Sequence, residues 1–309
     1  MFGTLLKTSS QPGIFAIGID ADGIAVVRIL TKPGQRPVLL AGLYFPCDDS
    51  VTSDALMEAV AQRYHLHEGC CSLVLEGGDY RLLLTEAPEV PVEERSAALR
   101  WRIKDLIDAP VNDITMDVFD VPPGAGTQGA AVYVVAARNE VIRQRVDLLR
   151  AAKVNLQVID IAEMAQRNIA RLLPEDAAGV ATLSIRPHFT LITVSRAGQL
   201  YFSRTLNIGL DTIRGREDHE ASFSQIANEL QRSLDYYESH FRQDPIRQVA
   251  LLPLPSEMTD LLEYLSENLS VEVKVIDLNE VVDHAIDLTH DLQAKIFLPF
   301  GAALREQAA

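Results

Sequence analysis

The sequence predicts an α/β fold built from two similar lobes, and two observations lead to this prediction. First, a pattern of three apolar, strand-like runs joined by tight turns occurs twice, about 165 residues apart. Second, strand and helix patterns alternate after each copy, which is typical of α/β layers. Each three-stranded meander needs a partner to cover its apolar faces, so two copies indicate a duplicated fold with a cleft between its lobes.

The first meander is predicted at residues 14–20, 24–31 and 38–45, and the second at 179–185, 189–195 and 199–205. Their runs of Val, Ile, Leu and Phe are bounded by Gly, Pro and Asp, which are strand and hairpin signals. After the first meander, a helix at 53–64 and strands at 72–75 and 81–85 complete the sheet of lobe one.

A small αββα subdomain is predicted next, between Pro88 and residue 153. Its first helix spans 92–107 after Pro91, whose missing N–H is not needed at a helix start. Strands at 114–121 and 130–136 are joined by a Pro- and Gly-rich turn, and a helix at 140–152 closes the unit.

The chain is then expected to return to lobe one through a strand at 156–159 and a helix at 161–173. In lobe two, a helix at 222–241 shows apolar residues every three or four positions. The predicted domains are lobe one at 1–87 and 154–174 with the C-terminal helix 290–309, the subdomain at 88–153, and lobe two at 175–289.

Composition limits the function. With 309 residues, 48% of them hydrophobic, the chain can bury a large core, and its net charge of −15 argues against nucleic acid or anionic lipid as a direct partner. Cys47, Cys70 and Cys71 do not form the spacing of a zinc or redox motif, which favours a reducing compartment. We find no long apolar run and no signal-peptide pattern, so we expect a cytoplasmic protein.

Several segments resemble the PilM group of the actin-like ATPase superfamily. They read AIGID at 16–20, RSAALRWRIKDLIDA at 95–109, VVAARNEVI at 134–142, VIDIAE at 158–163, GQLYFSR at 198–204 and ELQRSL at 229–234. The sequence is most similar to the MshI branch, which serves the mannose-sensitive haemagglutinin (MSHA) pilus. The resemblance implies an actin-like ATPase fold, that is, duplicated RNase H-like lobes with an inserted 1C-like subdomain.

The resemblance also implies a nucleotide cleft at the two hairpin turns, formed here by Asp20, Asp22, Gly23, Ser184 and Arg186. The pattern departs from nucleotide-binding relatives, however. Asp22 adds negative charge where phosphate is expected, Ser184 replaces a metal-holding Asp, and a proline next to Arg186 removes a backbone donor. We therefore expect a degenerate cleft, no ATP hydrolysis and no cofactor, with binding of ATP and magnesium as the alternative.

Trp101 is the only tryptophan, and it lies outside the apolar stripe of the helix predicted at 92–107. With Arg100 and Lys104 it is a candidate anchor for a partner peptide, because Trp and Arg dominate interface hot spots. The alternative is that Trp101 packs against lobe one.

Two other groups of polar residues give weaker signals. His65 and His67 are interpreted as solvated loop residues, and the cluster Asp283, His284, Asp287, His290 and Asp291 as an exposed acidic helix face.

Together, these observations predict a non-enzymatic scaffold at the inner membrane. The resemblance implies that it binds the cytoplasmic tail of a PilN-like membrane protein, and with it other pilus assembly proteins, near the junction of lobe one and the subdomain. Three alternatives stay open: an active ATPase that switches the pilus machine, a component of a type II secretion system similar to GspL, and a protein that self-assembles into homo-oligomers or filaments.

Overall fold

A computed structural model describes residues 13–47, 53–123, 130–216 and 218–305. The strands, in chain order, are β1 (Ile14–Asp20), β2 (Gly23–Leu30), β3 (Val38–Pro46), β4 (Cys70–Leu75), β5 (Tyr80–Glu86), β6 (Ile114–Asp120), β7 (Ala131–Arg138), β8 (Leu156–Ile161), β9 (Val180–Ile185), β10 (Thr190–Arg196), β11 (Gln199–Leu206), β12 (Gln248–Leu251), β13 (Glu272–Val275) and β14 (Asp283–His284). The helices are α1 (Ser53–Arg63), α2 (Val92–Arg102), α3 (Asn139–Ala151), α4 (Ala162–Ala170), α5 (Leu210–Arg214), α6 (Glu220–Phe241), α7 (Thr259–Asn268), α8 (Leu278–Val281) and α9 (His290–Ala303).

The two predicted meanders are confirmed, and each is the antiparallel part of a larger sheet. The first sheet has the strand order β14-β3-β2-β1-β4-β8, and the second has the order β11-β10-β9-β12-β13. In each, the first strand of the meander pairs in parallel with a strand that follows later, β4 with β1 and β12 with β9. The matching arrangement of the two sheets agrees with the predicted duplication.

The placement of the strand predicted at 81–85 was wrong. It forms β5, which pairs along its whole length with β7 from Tyr80 to Glu86 in a separate sheet of order β5-β7-β6. β7 is buried along most of its length and has apolar residues on both faces, so its backbone needs a paired strand at each edge. The subdomain is therefore a three-stranded βαββα unit. Its first helix is also shorter than predicted, because α2 ends at Arg102 and a 3-10 turn, Lys104–Leu106, follows.

The predicted helix of lobe two is confirmed as α6. Its apolar stripe is buried: Phe223, Ile226, Leu230, Leu234, Tyr237 and Phe241. These residues pack in one hydrophobic cluster with the second sheet and α7.

The centre of the molecule is built on α4 and α9, which cross between the two sheets. Gly301 in α9 allows this crossing, because a Cβ there would lie 2.1 Å from the carbonyl oxygen of Ala165 in α4. The cluster around both helices contains residues from each large sheet, such as Val27 and Leu191, so the lobes share one core. Across the described residues, none of the helices has the length and apolar character needed to cross a bilayer.

Candidate functional site: an interlobe cleft and a groove between sheet edges

A cleft of about 900 Å³ lies between the two lobes, where the predicted hairpin turns face each other. Asp20 and Asp22 line it from the first turn, and Arg186 and His188 from the second. Glu76, directly after β4, completes this wall. Because β1 and β4 are parallel neighbours, Asp20 and Glu76 come to the same edge of the first sheet.

Arg186 lies in the wall of the cleft and joins the lobes through an ion cluster. Its Nη2 lies 2.7 Å from Asp20 Oδ2 and 2.7 Å from Glu76 Oε1, and its Nε donates to Glu76 Oε2 at 3.3 Å. The side chain is only 6% exposed, and its guanidinium lies over the ring of Phe297, 5.2 Å from the ring centroid. The guanidinium of Arg186 is therefore the cation that pairs with Asp20 and Glu76 at the cleft.

Burial raises the pKa of Glu76 above its usual range, and the charge of Asp20 acts in the same direction, while Arg186 opposes both. Two carboxylates and one guanidinium carry a net charge of −1 when all are ionised. A proton on Glu76 would bring that charge to zero. The cluster is thus either neutral or anionic, which disfavours a triphosphate in contact with it.

The other basic side chains that line the cleft are also paired with acids. Lys295 bonds to Asp22, and Arg214 bonds to Glu257. Arg145 lies 3.0 Å from Asp79. The described lining holds seven Asp and Glu residues against four Lys and Arg residues, so its formal balance is acidic. An incoming polyanion would have to break these pairs and face the carboxylates released.

Two residues predicted to face the cleft do not line it. The Ser184 hydroxyl points to the other side of β9 and donates to Gln166 Oε1 at 2.8 Å, within a buried network that ties α4 to the second sheet. Gly23 is required for packing: a Cβ there would lie 2.4 Å from the carbonyl oxygen of Phe45 and 2.6 Å from the ring of Tyr44. The sequence prediction missed Glu76 and Lys295; the position of Glu76 at the end of an apolar strand next to β1 was the available signal.

A second concavity, of about 1100 Å³, lies between lobe one and the subdomain. We call it the groove. One wall is β8, the outermost strand of the first sheet, and the other is β6, the outermost strand of the subdomain sheet. Its apolar surface includes Phe119, Val135, Val158, Ile159, Met164 and Leu200. Two strand edges and an apolar floor therefore face one space.

The two sides of the groove carry charged residues of different sign on their rims. Asp117 and Asp120 of β6 are exposed. On the opposite side, Arg305 Nη1 lies 3.4 Å from the buried Asp160, whose pKa is raised by burial. Arg167 Nη1 donates to the carbonyl of Gly198 at 3.2 Å, which fixes the lobe-two turn at the end of the groove.

Trp101 does not pack against lobe one, so that alternative was wrong. Its side chain is 66% exposed on α2, outside the lining of the groove, and Leu106 is 57% exposed. Arg100 has a structural role, because its Nη1 donates to the carbonyls of Val111 and Ile114 at 2.6 and 3.0 Å. Lys104 is exposed. A partner contact through Trp101 and Lys104 stays a prediction.

Comparisons with known proteins agree with this architecture. A family model for the type IV pilus assembly protein PilM matches residues 93–215. A chain of the solved PilM–PilN type IV pilus biogenesis complex aligns with a TM-score of 0.70 and 21% identity, covering 94% of this chain and 97% of that chain. The chain is PilM-like, with an actin-like fold. The predicted fold and the resemblance to the PilM group are thereby confirmed.

Two further structures share the fold of this PilM-like chain. The cytoplasmic domain of EpsL, an inner-membrane component of the type II secretion system of Vibrio cholerae, aligns with a TM-score of 0.52 at 12% identity, covering 96% of each chain. A Bacteroides thetaiotaomicron protein with an actin-like ATPase fold and unknown function also gives 0.52 at 12% identity, covering 93% of this chain and 96% of that one. No curated protein matches the sequence significantly.

Proposed function

We propose that this PilM-like chain is a cytoplasmic scaffold of a type IV pilus assembly complex, and that its groove binds the cytoplasmic tail of a PilN-like inner-membrane protein. The observation that carries the proposal is the pair of strand edges, β8 and β6, which face one apolar groove and pair with no further strand among the described residues. The likeness to a chain of a PilM–PilN complex supports the choice of partner.

The groove suits an extended peptide. A free strand edge offers unpaired backbone N–H and C=O groups, so a peptide can add to it as a further strand. Alternate side chains of that peptide would then point to the apolar floor around Phe119 and Met164. The volume of about 1100 Å³ lies slightly above the roughly 300–1,000 Å³ typical of small-molecule pockets, as expected for a polypeptide ligand.

Electrostatics suggest which tails fit. The exposed carboxylate of Asp117 on the β6 rim would attract Lys or Arg on the tail, whereas Asp120 already pairs with Arg95, whose Nη1 lies 3.0 Å from its Oδ1. The net charge of −15 favours the same partner at longer range. We therefore expect a tail with an apolar centre and basic residues beside it.

In this proposal the cleft acts as an interlobe lock and does not turn over ATP. Arg186 supplies from within the chain the positive charge that a metal ion would bring, and it engages Asp20 and Glu76 together. The ATPase alternative has in its favour the volume of the cleft, about 900 Å³, and is tested by the nucleotide titration described in the Discussion.

We further propose that the machine served is an MSHA-type pilus, with this chain in the place of MshI. The chain would lie at the inner membrane through its partner, in contact with other assembly proteins. The support for this assignment is the similarity of the whole sequence to the MshI branch described above. A role like that of GspL in type II secretion is the second candidate, favoured by the fold shared with the cytoplasmic domain of EpsL.

Binding of a synthetic, fluorescently labelled tail peptide from a PilN-like protein of the same genome tests the proposal. Val158 is half-buried in the groove, and Val158→Glu places a charge on its apolar surface. We expect this variant to weaken binding at least tenfold. Leu84→Glu is the matched control, because Leu84 is a 43% exposed strand residue outside the groove lining.

Trp101→Ala, tested in the same assay, separates the two surfaces. Loss of binding in Trp101→Ala with full binding in Val158→Glu would move the site to α2 and refute the assignment to the groove. Absence of binding in the unmodified protein would refute this tail as the ligand.

A further inference from the structure

Three potential metal ligands converge in the turn between α1 and β4. The donor atoms of His65, His67 and Glu68 all lie within 4.8 Å of one another. His65 Nδ1 is 3.6 Å and His67 Nε2 is 3.8 Å from the same oxygen, Glu68 Oε1. The two imidazoles therefore face one carboxylate, an arrangement that the spacing of the histidines alone did not indicate.

The turn is held in this conformation by buried contacts. Leu66, between the two histidines, is fully buried in the core beside α1. Its N–H donates to the carbonyl of Ala61 at 3.1 Å, and its own carbonyl accepts from Cys71 Sγ at 3.2 Å. The Glu68 N–H donates to the carbonyl of His65 at 3.0 Å. The donors thus project from an anchored backbone, which lowers the entropic cost of bringing them together.

The backbone at His65 is left-handed, with φ of +54°. This conformation is uncommon for residues other than Gly, although Asn, Asp and His adopt it more often than the others do. The chain reverses at this point, and the His65 imidazole lies beside Glu68.

We propose that His65, His67 and Glu68 form a surface site for a divalent transition-metal ion of the zinc class. Zinc binds imidazole nitrogen at about 2.0–2.1 Å and carboxylate oxygen at about 2.0–2.2 Å, so tetrahedral ligand atoms lie roughly 3.4 Å apart. The two separations between nitrogen and carboxylate oxygen, 3.6 and 3.8 Å, are close to that value, and the separation between the two nitrogens, within 4.8 Å, would shorten through rotation of the exposed imidazoles. Two nitrogen donors favour zinc, copper or nickel over magnesium and calcium, which prefer oxygen.

The site has three protein ligands and faces solvent. The two imidazoles are 50% and 56% exposed, and the Glu68 side chain is 65% exposed, so water completes the coordination. The bound ion cross-links three residues within the turn between α1 and β4 and replaces two weak contacts of exposed histidines with metal bonds. We expect moderate affinity, because among the described residues no buried side chain hydrogen-bonds to either imidazole and orients it.

Calorimetric titration of tag-free protein with Zn²⁺ tests this site. We expect one ion per chain with micromolar affinity, and no comparable binding of Mg²⁺. His67→Ala and His65→Asn should each weaken Zn²⁺ binding about tenfold or more; Asn tolerates the left-handed backbone, so His65→Asn keeps the turn. His290→Ala, which removes an exposed histidine of α9, is the control and should bind like the unmodified protein.

The absorption spectrum of the Co²⁺-loaded protein identifies the ligands independently of affinity. Visible d–d bands without a thiolate charge-transfer band are expected for nitrogen and oxygen ligands. A thiolate band would assign the ion to the exposed Cys70 and overturn the proposal. So would Zn²⁺ affinity that is equal in His67→Ala, His65→Asn and the unmodified protein, with circular dichroism confirming that all are folded.

Discussion

Replacing Arg186 by Met should destabilise the protein far more than a surface substitution does. Met keeps an apolar stem of similar length beside Phe297 but removes the cation from the cluster. Asp20 and Glu76 then remain 18% and 19% exposed, respectively, with no positive partner from Arg186. Two carboxylates at the same sheet edge would also repel each other.

The magnitude follows from the burial of the cluster. Breaking a buried ion pair by removing one partner typically costs about 3–5 kcal/mol, because the remaining charge is desolvated and uncompensated. Loss of the guanidinium over Phe297 adds roughly 1–2 kcal/mol. The carboxylates are partly exposed, so water solvates them and reduces this energetic cost. We therefore expect a loss of about 3–4 kcal/mol in the free energy of unfolding at pH 8.

The loss should be smaller at pH 5.5. Burial raises the pKa of Glu76 in the folded state, so folding favours its protonated form, and this stabilisation is lost as the pH rises. Removing Arg186 removes the interaction that opposes this rise in pKa, so Glu76 in the variant stays protonated to higher pH. At pH 5.5 the variant therefore keeps fewer unpaired charges.

Urea unfolding at both pH values measures the effect. The triple variant Arg186→Met, Asp20→Asn, Glu76→Gln serves as the control, because it removes all three charges together and should recover most of the lost stability. A loss below about 1 kcal/mol for Arg186→Met, or the same loss at pH 5.5 and pH 8, would refute the lock between the lobes.

Three further predictions follow from the same contacts. Glu163 is fully buried and accepts a hydrogen bond from Tyr80, and burial raises its pKa to about 7. Its contribution to the stability of the fold is therefore complete below about pH 4.5 and is lost as the pH rises through 7. Glu163→Gln should therefore be the more stable protein at pH 9 by up to about 3 kcal/mol, and close to the unmodified protein at pH 5; the reverse order in urea unfolding would contradict this. Gly301→Ala should destabilise by about 2 kcal/mol or more, since its Cβ meets the Ala165 backbone, and an unchanged melting temperature would show that the helices can separate without cost. Calorimetric titration with ATP and Mg²⁺ should give no tight binding, whereas tight binding that Asp20→Ala abolishes would restore the ATPase alternative.

The sequence was sufficient for the architecture of each lobe but not for all of the strand pairing. The meanders were predictable because their turns and apolar runs are local signals. The sheet to which β5 belongs was not, since the apolar residues at 82–84 fit either sheet and β7, its partner, lies about 50 residues further along. Local pattern gives a strand, and tertiary contacts decide where it pairs.

The candidate sites, too, could be predicted from the sequence only in part. Asp20, Asp22 and Arg186 were predicted because the family resemblance implies a cleft at the two hairpin turns, and all three line the cleft. Ser184 was misplaced because in a strand successive side chains point to opposite faces, and its hydroxyl faces Gln166. The groove could not be predicted residue by residue, because its two walls are strand edges brought together only by the fold.

The central claim is that a polypeptide binds in the groove while the lobes stay joined beside the cleft by the ion cluster of Arg186, Asp20 and Glu76. Hydrogen–deuterium exchange of the protein with and without the PilN-like tail peptide tests this most directly. Our account predicts slower exchange in β8 and β6, at residues 156–161 and 114–120, and unchanged exchange in the hairpin turns at Asp20 and Arg186. Protection confined to those hairpin turns, or none at saturating peptide, would contradict it.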